Sequence, residues 1–297
     1  MSVPTAVRRP ERPPALLKRL GWLLGGVLIL VSFMAIELRY EALLNLPAGV
    51  GQVFYRMFLE NGPEWAYLVP ALELMLESLQ IAWIGTIIGA VVSLPLAFLG
   101  ARNITSAVVS NVVRQLLNAI RAIPEILVAV IIFIPMVGLG AYAGALAIGI
   151  HSIGTLGKLS AEAVEGIDPG PVEAARAAGG GSVQVQRWGV LPQVMPEIVA
   201  FWLYRFEINI RASAVLGVLG AGGIGEALVQ SLRFARFERA GMCVIVIVVV
   251  TILIDYASGW LRRRIIEGSG PKRFSGEAIE EPVLAGAGAG RIGTAAG

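Results

Sequence analysis

The chain is short of charge: Asp, Glu, Lys and Arg together make up 15% of its 297 residues, while 56% are hydrophobic. Ordinary soluble domains carry about a quarter charged residues. A water-soluble core cannot absorb that much apolar surface, and a soluble globular fold is excluded. The one cysteine, Cys243, rules out an intramolecular disulfide, and its place in an apolar run predicts a packed thiol, not a redox or metal ligand. One histidine, His151, leaves too few ligands for the usual zinc patterns. The phosphate-gripping pattern G-x-x-x-x-G-K-S/T is missing, so the chain is not expected to hydrolyse nucleotides itself. Its lysines and arginines stand in short clusters between apolar runs and form no single stripe, which excludes nucleic-acid binding and points to a membrane surface.

What the chain does have is long charge-free runs. The first, Leu20 to Ile36, follows Arg8, Arg9, Arg12, Lys18 and Arg19 and lacks a small-x-small cleavage site, so it predicts an uncleaved first membrane helix. Residues 37–78, with several acids and an Asn-Gly turn signal, read as a connection outside the membrane. The second run, Ile81 to Gly100, is about 30 Å long as a helix, which matches the hydrocarbon thickness. Ile126 to Gly157 is free of acids, lysine and arginine but broken by Gly138 to Gly144, so two helices share it. The third is expected to start near Gln115 and to carry Arg121 and Glu125 as an i,i+4 pair. The fourth runs from about Ala141 to Gly157. A fifth, Glu197 to Leu219, contains Arg205, Glu207 and Arg211, and the sixth, Ala240 to Ile254, ends before Arg262, Arg263 and Arg264.

Orientation follows from the basic residues. With the N-terminus inside, the cytoplasmic segments carry both terminal clusters together with Arg102, Arg114, Lys158, Arg176 and Arg187. The opposite face carries Arg39, Arg56, Arg233, Arg236 and Arg239. The expected fold is an all-α membrane protein of six transmembrane helices with both termini cytoplasmic. It divides into a cytoplasmic segment 1–19, a first helix with its external connection 20–72, a core 73–264 and a disordered tail 265–297.

The loop 158–193 holds a short helix. Pro171 suits a first helical turn, Glu173 favours the positive end of the helix dipole, the alanines that follow are good helix formers, and Gly179 to Gly181 stop it. Its small side chains permit close approach by another protein, although an interfacial loop would read the same way. Here a resemblance appears. Glu173-Ala174-Ala175, three residues, Gly179 and, after twelve more, Pro192 behind Leu191 resemble the EAA signature of binding-protein-dependent ABC importer permeases. The strings LQIAWIGTIIGAVVSLPLAFLGARN, HSIGTLGKLSAEAVEGID and LYRFEINIRASAVLGVLGAGGIG are similar to the phosphonate and phosphite permease subgroup. One departure is Gly189, where the family usually has a branched apolar residue.

The resemblance implies a type I importer permease fold in the bacterial inner membrane. The chain would pair with a second permease and receive substrate from an external binding protein. Glu173, Ala174, Ala175, Gly179, Leu191 and Pro192 would dock on two cytoplasmic ATPase subunits, which would hold ATP and Mg; this chain would hold no cofactor or metal.

Counting from Glu197, Arg205 lies about 12 Å and Arg211 about 21 Å along the fifth helix, within the hydrocarbon zone. Ionisable residues there usually face a bundle interior or an aqueous path. Glu207 and Arg211 are spaced to pair, and Arg205 and Asn209 share another face. They are read either as neutralised structural charges or as guanidinium groups offered to a passing oxyanion. His151 is expected to be a hydrogen-bonded packing residue. The string Gly220 to Gly225 matches G-x-G-x-x-G, but no strand and helix alternation follows it, and close backbone packing is expected in place of an NAD site. A permease for methionine or another small solute is the rival reading within the family.

Overall fold

The computed structural model describes residues 15–35 and 40–269, and among these all regular structure is helical. The basic residues Arg8, Arg9 and Arg12 and the tail from 270 onward lie outside the described residues. The chain divides into two compact units at Gly62. The first holds α1 (Ala15–Ala35), α2 (Tyr40–Tyr55) and a π turn, Arg56–Glu60. The apolar side chains of α1, such as Trp22, Leu28 and Phe33, are exposed all along it, as suits a helix solvated by lipid.

The second unit begins with α3 (Leu68–Gly100), α4 (Ala107–Ala122), the short α5 (Glu125–Val128) and α6 (Ile134–Val137) joined by a π turn, and α7 (Ala141–Glu165). After these come α8 (Pro169–Ala177), α9 (Ser182–Val185) with a π turn Gln186–Val190, α10 (Leu191–Gly217), α11 (Gly223–Arg233) and α12 (Phe237–Ser269). By length and apolarity, Lys18–Ala35, Trp65–Gly100 and Phe237–Ile266 can each cross a membrane, and α4 with α5 and α6 would make a fourth span bent by 85°. Helices α7 and α10 are about 38 and 40 Å long, and their glycines and charges dilute an otherwise apolar surface.

The α3–α7 crossing is the centre of the fold, and small residues make it close. A β-carbon added at Gly85 would stand 2.7 Å from Ile148 Cγ2, at Gly89 2.5 Å from Ser152 Cβ, and at Gly149 2.9 Å from Ile88 Cγ2. The spacing of Gly85 and Gly89 is the small-xxx-small pattern that lets membrane helices gain dispersion contact in the absence of a hydrophobic drive. Gly89→Val is expected to force the pair apart at a cost of about 1–3 kcal/mol, read as a lowered unfolding midpoint of the detergent-solubilised protein.

Several boundaries differ from expectation. The third span is not one straight helix through Arg121 and Glu125. The backbone is extended at Ile123 and Pro124 (ψ 120° and 138°), because proline disfavours the helical region for its predecessor. Arg121 and Glu125 therefore do not share a helix face. The fourth helix continues to Glu165, and the last continues through the closing arginines to Ser269, past the expected start of the tail.

The glycine-rich string forms no strand. It is the turn into α11, with Gly222 and Gly223 at φ +80° and +71°, and the hydroxyl of Ser78 on α3 accepts from Ile224 N at 3.0 Å, capping the new helix.

Candidate functional site

Two regions carry side-chain chemistry. The first is α8. Asp168 caps it, its Oδ1 accepting from Gly170 N at 2.9 Å, so the helix starts at Pro169, two residues before the expected Pro171. It ends where Gly180 N donates to Ala175 O at 3.1 Å and Gly179 takes φ +80°, a conformation only glycine adopts without strain. Glu173, Ala174 and Gly179 are exposed, whereas Val172 and Ala175 are half-buried against the rest of the unit.

Behind this helix runs the π turn. Gly189 is buried there, and a β-carbon on it would lie 3.0 Å from Val172 Cα and 3.2 Å from Pro171 O. Glycine at that position lets the chain lie directly on the backbone of α8. Gln193 then locks the two pieces together. Its Oε1 accepts from Asp168 N at 3.1 Å, and its Nε2 donates to Asp168 O at 3.2 Å and Gly189 O at 2.6 Å. Leu191 is half-buried and Pro192 exposed in the first turn of α10. Val190, Val194 and Ile198 continue inward to pack with Ala101 and Val164. The short helix is thus joined to α10 by the Gln193 hydrogen bonds at its start, and to the π turn that leads into α10 by backbone contact at Pro171 and Val172.

The second region is a buried polar cluster midway along α10. Arg205 is 5% exposed. Its Nε donates to Ser152 Oγ at 3.0 Å and its Nη2 stands 2.7 Å from His151 Nδ1 and 3.7 Å from Glu125 Oε2. The same His151 Nδ1 is 3.0 Å from Glu125 Oε2. One turn further, Asn209 Nδ2 donates to Thr86 Oγ1 at 2.9 Å and Ser152 Oγ at 3.1 Å. Arg205 and Asn209 do share a face, and that face is closed by α3, α7 and the start of α5.

Glu207 and Arg211 do not pair with each other. Glu207 Oε1 accepts from Arg262 Nη2 at 2.8 Å, and Arg211 Nη2 donates to Asp255 Oδ2 at 2.6 Å. Two partners on α12 outcompete the local i,i+4 pairing. The side chains of Arg211 and Asp255 are 56% and 37% exposed.

Sequence reasoning missed Glu125, Asp255 and Arg262 as partners; His151 is hydrogen-bonded as expected, and its partner is Arg205. The available signal was a polar His-Ser pair inside a charge-free run and a carboxylate directly after Ile-Pro. Its expectation of close backbone packing at Gly220 to Gly225 agrees with the geometry: β-carbons at Gly217 would stand 2.7 Å from Gly222 O and 2.9 Å from Gly225 Cα.

A helical bundle with several apolar spans, a polar seam through its middle and a small-residue helix displayed at one end defines a multi-pass membrane protein. A family model described as binding-protein-dependent transport system inner membrane component matches residues 93–267, which include α8 and the polar cluster except Thr86. The chain belongs to that family and is a permease subunit of the inner membrane. It is 40% identical over 250 residues to the phosphite transport system permease protein PtxC of Stutzerimonas stutzeri, covering 82% of this chain and 90% of that one. It is 38% identical over 270 residues to the phosphate-import permease protein PhnE of Mycolicibacterium smegmatis, covering 88% of this chain and spanning 50% of that longer relative. Among solved structures, an inward-facing MetNI methionine ABC transporter superposes with a TM-score of 0.61 at 22% identity, over 68% of this chain and 99% of that one, a likeness of fold.

Proposed function

We propose that this permease carries phosphonate-like oxyanions across the inner membrane, with Arg205 as the cation that meets them inside the bundle. The observation that supports this most is a guanidinium 5% exposed at the centre of the polar seam, in a chain 40% identical to a phosphite permease. A buried charge is costly to maintain, and in membrane helices it commonly marks a substrate route. The guanidinium fork suits the paired oxygens of such anions.

The chain works with a second permease, crosses the membrane six times and keeps both termini in the cytoplasm. Its α8, with Glu173, Ala174, Ala175 and Gly179 exposed or half-buried, docks on an ATPase subunit, which holds ATP and Mg. An external binding protein delivers the substrate. Closure of the ATPase pair displaces α8, and because Gln193 and Gly189 join α8 to α10, the displacement passes directly into the helix that carries Arg205.

Uptake by whole cells tests the substrate. Cells dependent on this permease are expected to accumulate methylphosphonate or phosphite, with methionine neither transported nor competing; methionine uptake in their place overturns the reading. Crosslinks from Ala174→Cys test the docking and should capture the ATPase.

The coupling path has its own test. Gly189→Val restores the branched residue typical of the family but drives it into Val172 and Pro171. It is expected to reduce uptake by about tenfold, equivalent to 1.4 kcal/mol, with ATP hydrolysis persisting but no longer stimulated by loaded binding protein.

A further inference from the structure

The triangle of Arg205, His151 and Glu125 cannot be satisfied as it stands. His151 Nδ1 has either one lone pair or one proton. Arg205 Nη2, at 2.7 Å, can only donate to it and needs the lone pair. Glu125 Oε2, at 3.0 Å, can only accept while ionised and needs the proton. Whichever form the imidazole takes, one neighbour is left without its bond. The direct alternative, Arg205 to Glu125, is stretched to 3.7 Å.

A tetrahedral oxyanion resolves the conflict. It offers several acceptor oxygens in different directions, so once Nδ1 turns off Nη2 one oxygen can take the Arg205 N–H while another takes a proton on His151. Glu125 presents the same Oε2 to both groups, at 3.0 and 3.7 Å. Ser152 and Asn209, already hydrogen-bonded behind Arg205, hold its guanidinium in a fixed direction.

The position of Glu125 supports the same conclusion. Its side chain is 25% exposed, against 6% for Arg205 and 16% for His151, so it stands on the open side of the two donors. It is the first residue of α5, directly after the extended Ile123–Pro124 link, where the chain turns by 85°. A π turn, Ala129–Phe133, follows at once, a feature found frequently at functional sites. The carboxylate therefore sits at a break between helical pieces, on a four-residue helix, and not inside a continuous span.

We propose that Arg205 and His151 form an oxyanion seat which the permease keeps filled with the Glu125 carboxylate, and that the transported anion enters by displacing it. The inference rests on the oxyanion reading above and adds the occupant, the second donor and the displacement. The internal carboxylate makes the resting seat electrically neutral and closes it to stray anions; withdrawal of α5 opens it.

The transporter complex held in nanodiscs of neutral lipid and titrated with radiolabelled methylphosphonate, without nucleotide, provides the test. If the carboxylate fills the seat about nine-tenths of the time, Glu125→Gln should raise the apparent affinity about tenfold. Arg205→Lys added to that variant should remove the gain, since the ammonium loses the fixed fork. Sulfate should compete for the gained site, and acetate should compete far less. Glu125→Asp, which keeps the charge but retracts it by one methylene, should give a smaller gain and serves if Glu125→Gln fails to assemble. Unchanged affinity in both variants, with methylphosphonate uptake by the parent intact, overturns the seat and leaves oxyanion import standing. A parent that moves no oxyanion overturns the import reading itself.

Discussion

Arg205→Ala is expected to reduce oxyanion uptake by about thirty- to several-thousand-fold, since it removes the guanidinium from the buried charge pair proposed with the anion, and losing one partner of such a pair costs roughly 2–5 kcal/mol. The loss falls on substrate transfer and not on the fold alone, because Asn209, Thr86 and Ser152 retain their own hydrogen bonds and Glu125 keeps His151. Arg205→Lys should recover part of the activity, because it restores charge without the planar fork. The measurement is initial uptake rate normalised to the amount of assembled complex recovered by size exclusion. Uptake equal to the parent at equal assembly would remove Arg205 from the path.

The largest structural effect is expected at Gly225. A β-carbon there would collide with the carbonyl oxygen of Ala214 and lie 2.8 Å from its carbonyl carbon and 3.1 Å from its Cα. All three are backbone atoms, so no rotamer change relieves the clash, and α10 and α11 would have to separate. The cost should reach or exceed the roughly 1–3 kcal/mol typical of overpacking. Gly225→Ala is therefore expected to leave little folded protein in the membrane fraction. Gly259→Ala is the matching control: nothing lies within 4 Å of its added carbon, and the change should stay within about 0.5 kcal/mol. Fluorescence-detected size exclusion after stepwise heating separates the two.

Much of the helical framework is legible in local patterns. The charge-free runs account for α1, α3 and α12, because an apolar stretch of bilayer length has few alternatives. The proline, acid, alanine and glycine order places α8, because each residue acts within its own turn. Even α10, with four charges inside it, is readable once its loop is recognised.

The polar seam is less readable, because its pairs join residues far apart in the chain. Local spacing predicts that Arg121 meets Glu125 and that Glu207 meets Arg211. A single X-Pro step removes the first pair and hands Glu125 to α7 and α10. The second is broken by Asp255 and Arg262, brought alongside α10 by the packing of α12. Spacing lists the pairs that a lone helix can form; neighbouring helices then choose among them. The same applies to Gly189, whose departure from the family pattern has a reason only when Val172 and Pro171 are seen behind it.

The Arg211–Asp255 bridge, more than a third open on each side chain, sets a condition on its surroundings. Hydrocarbon is a poor solvent for an ion pair left that uncovered. Whatever lies against that stretch of α10 and α12 must supply water or polar atoms of its own. A lipid acyl chain is the one neighbour this surface is built to refuse.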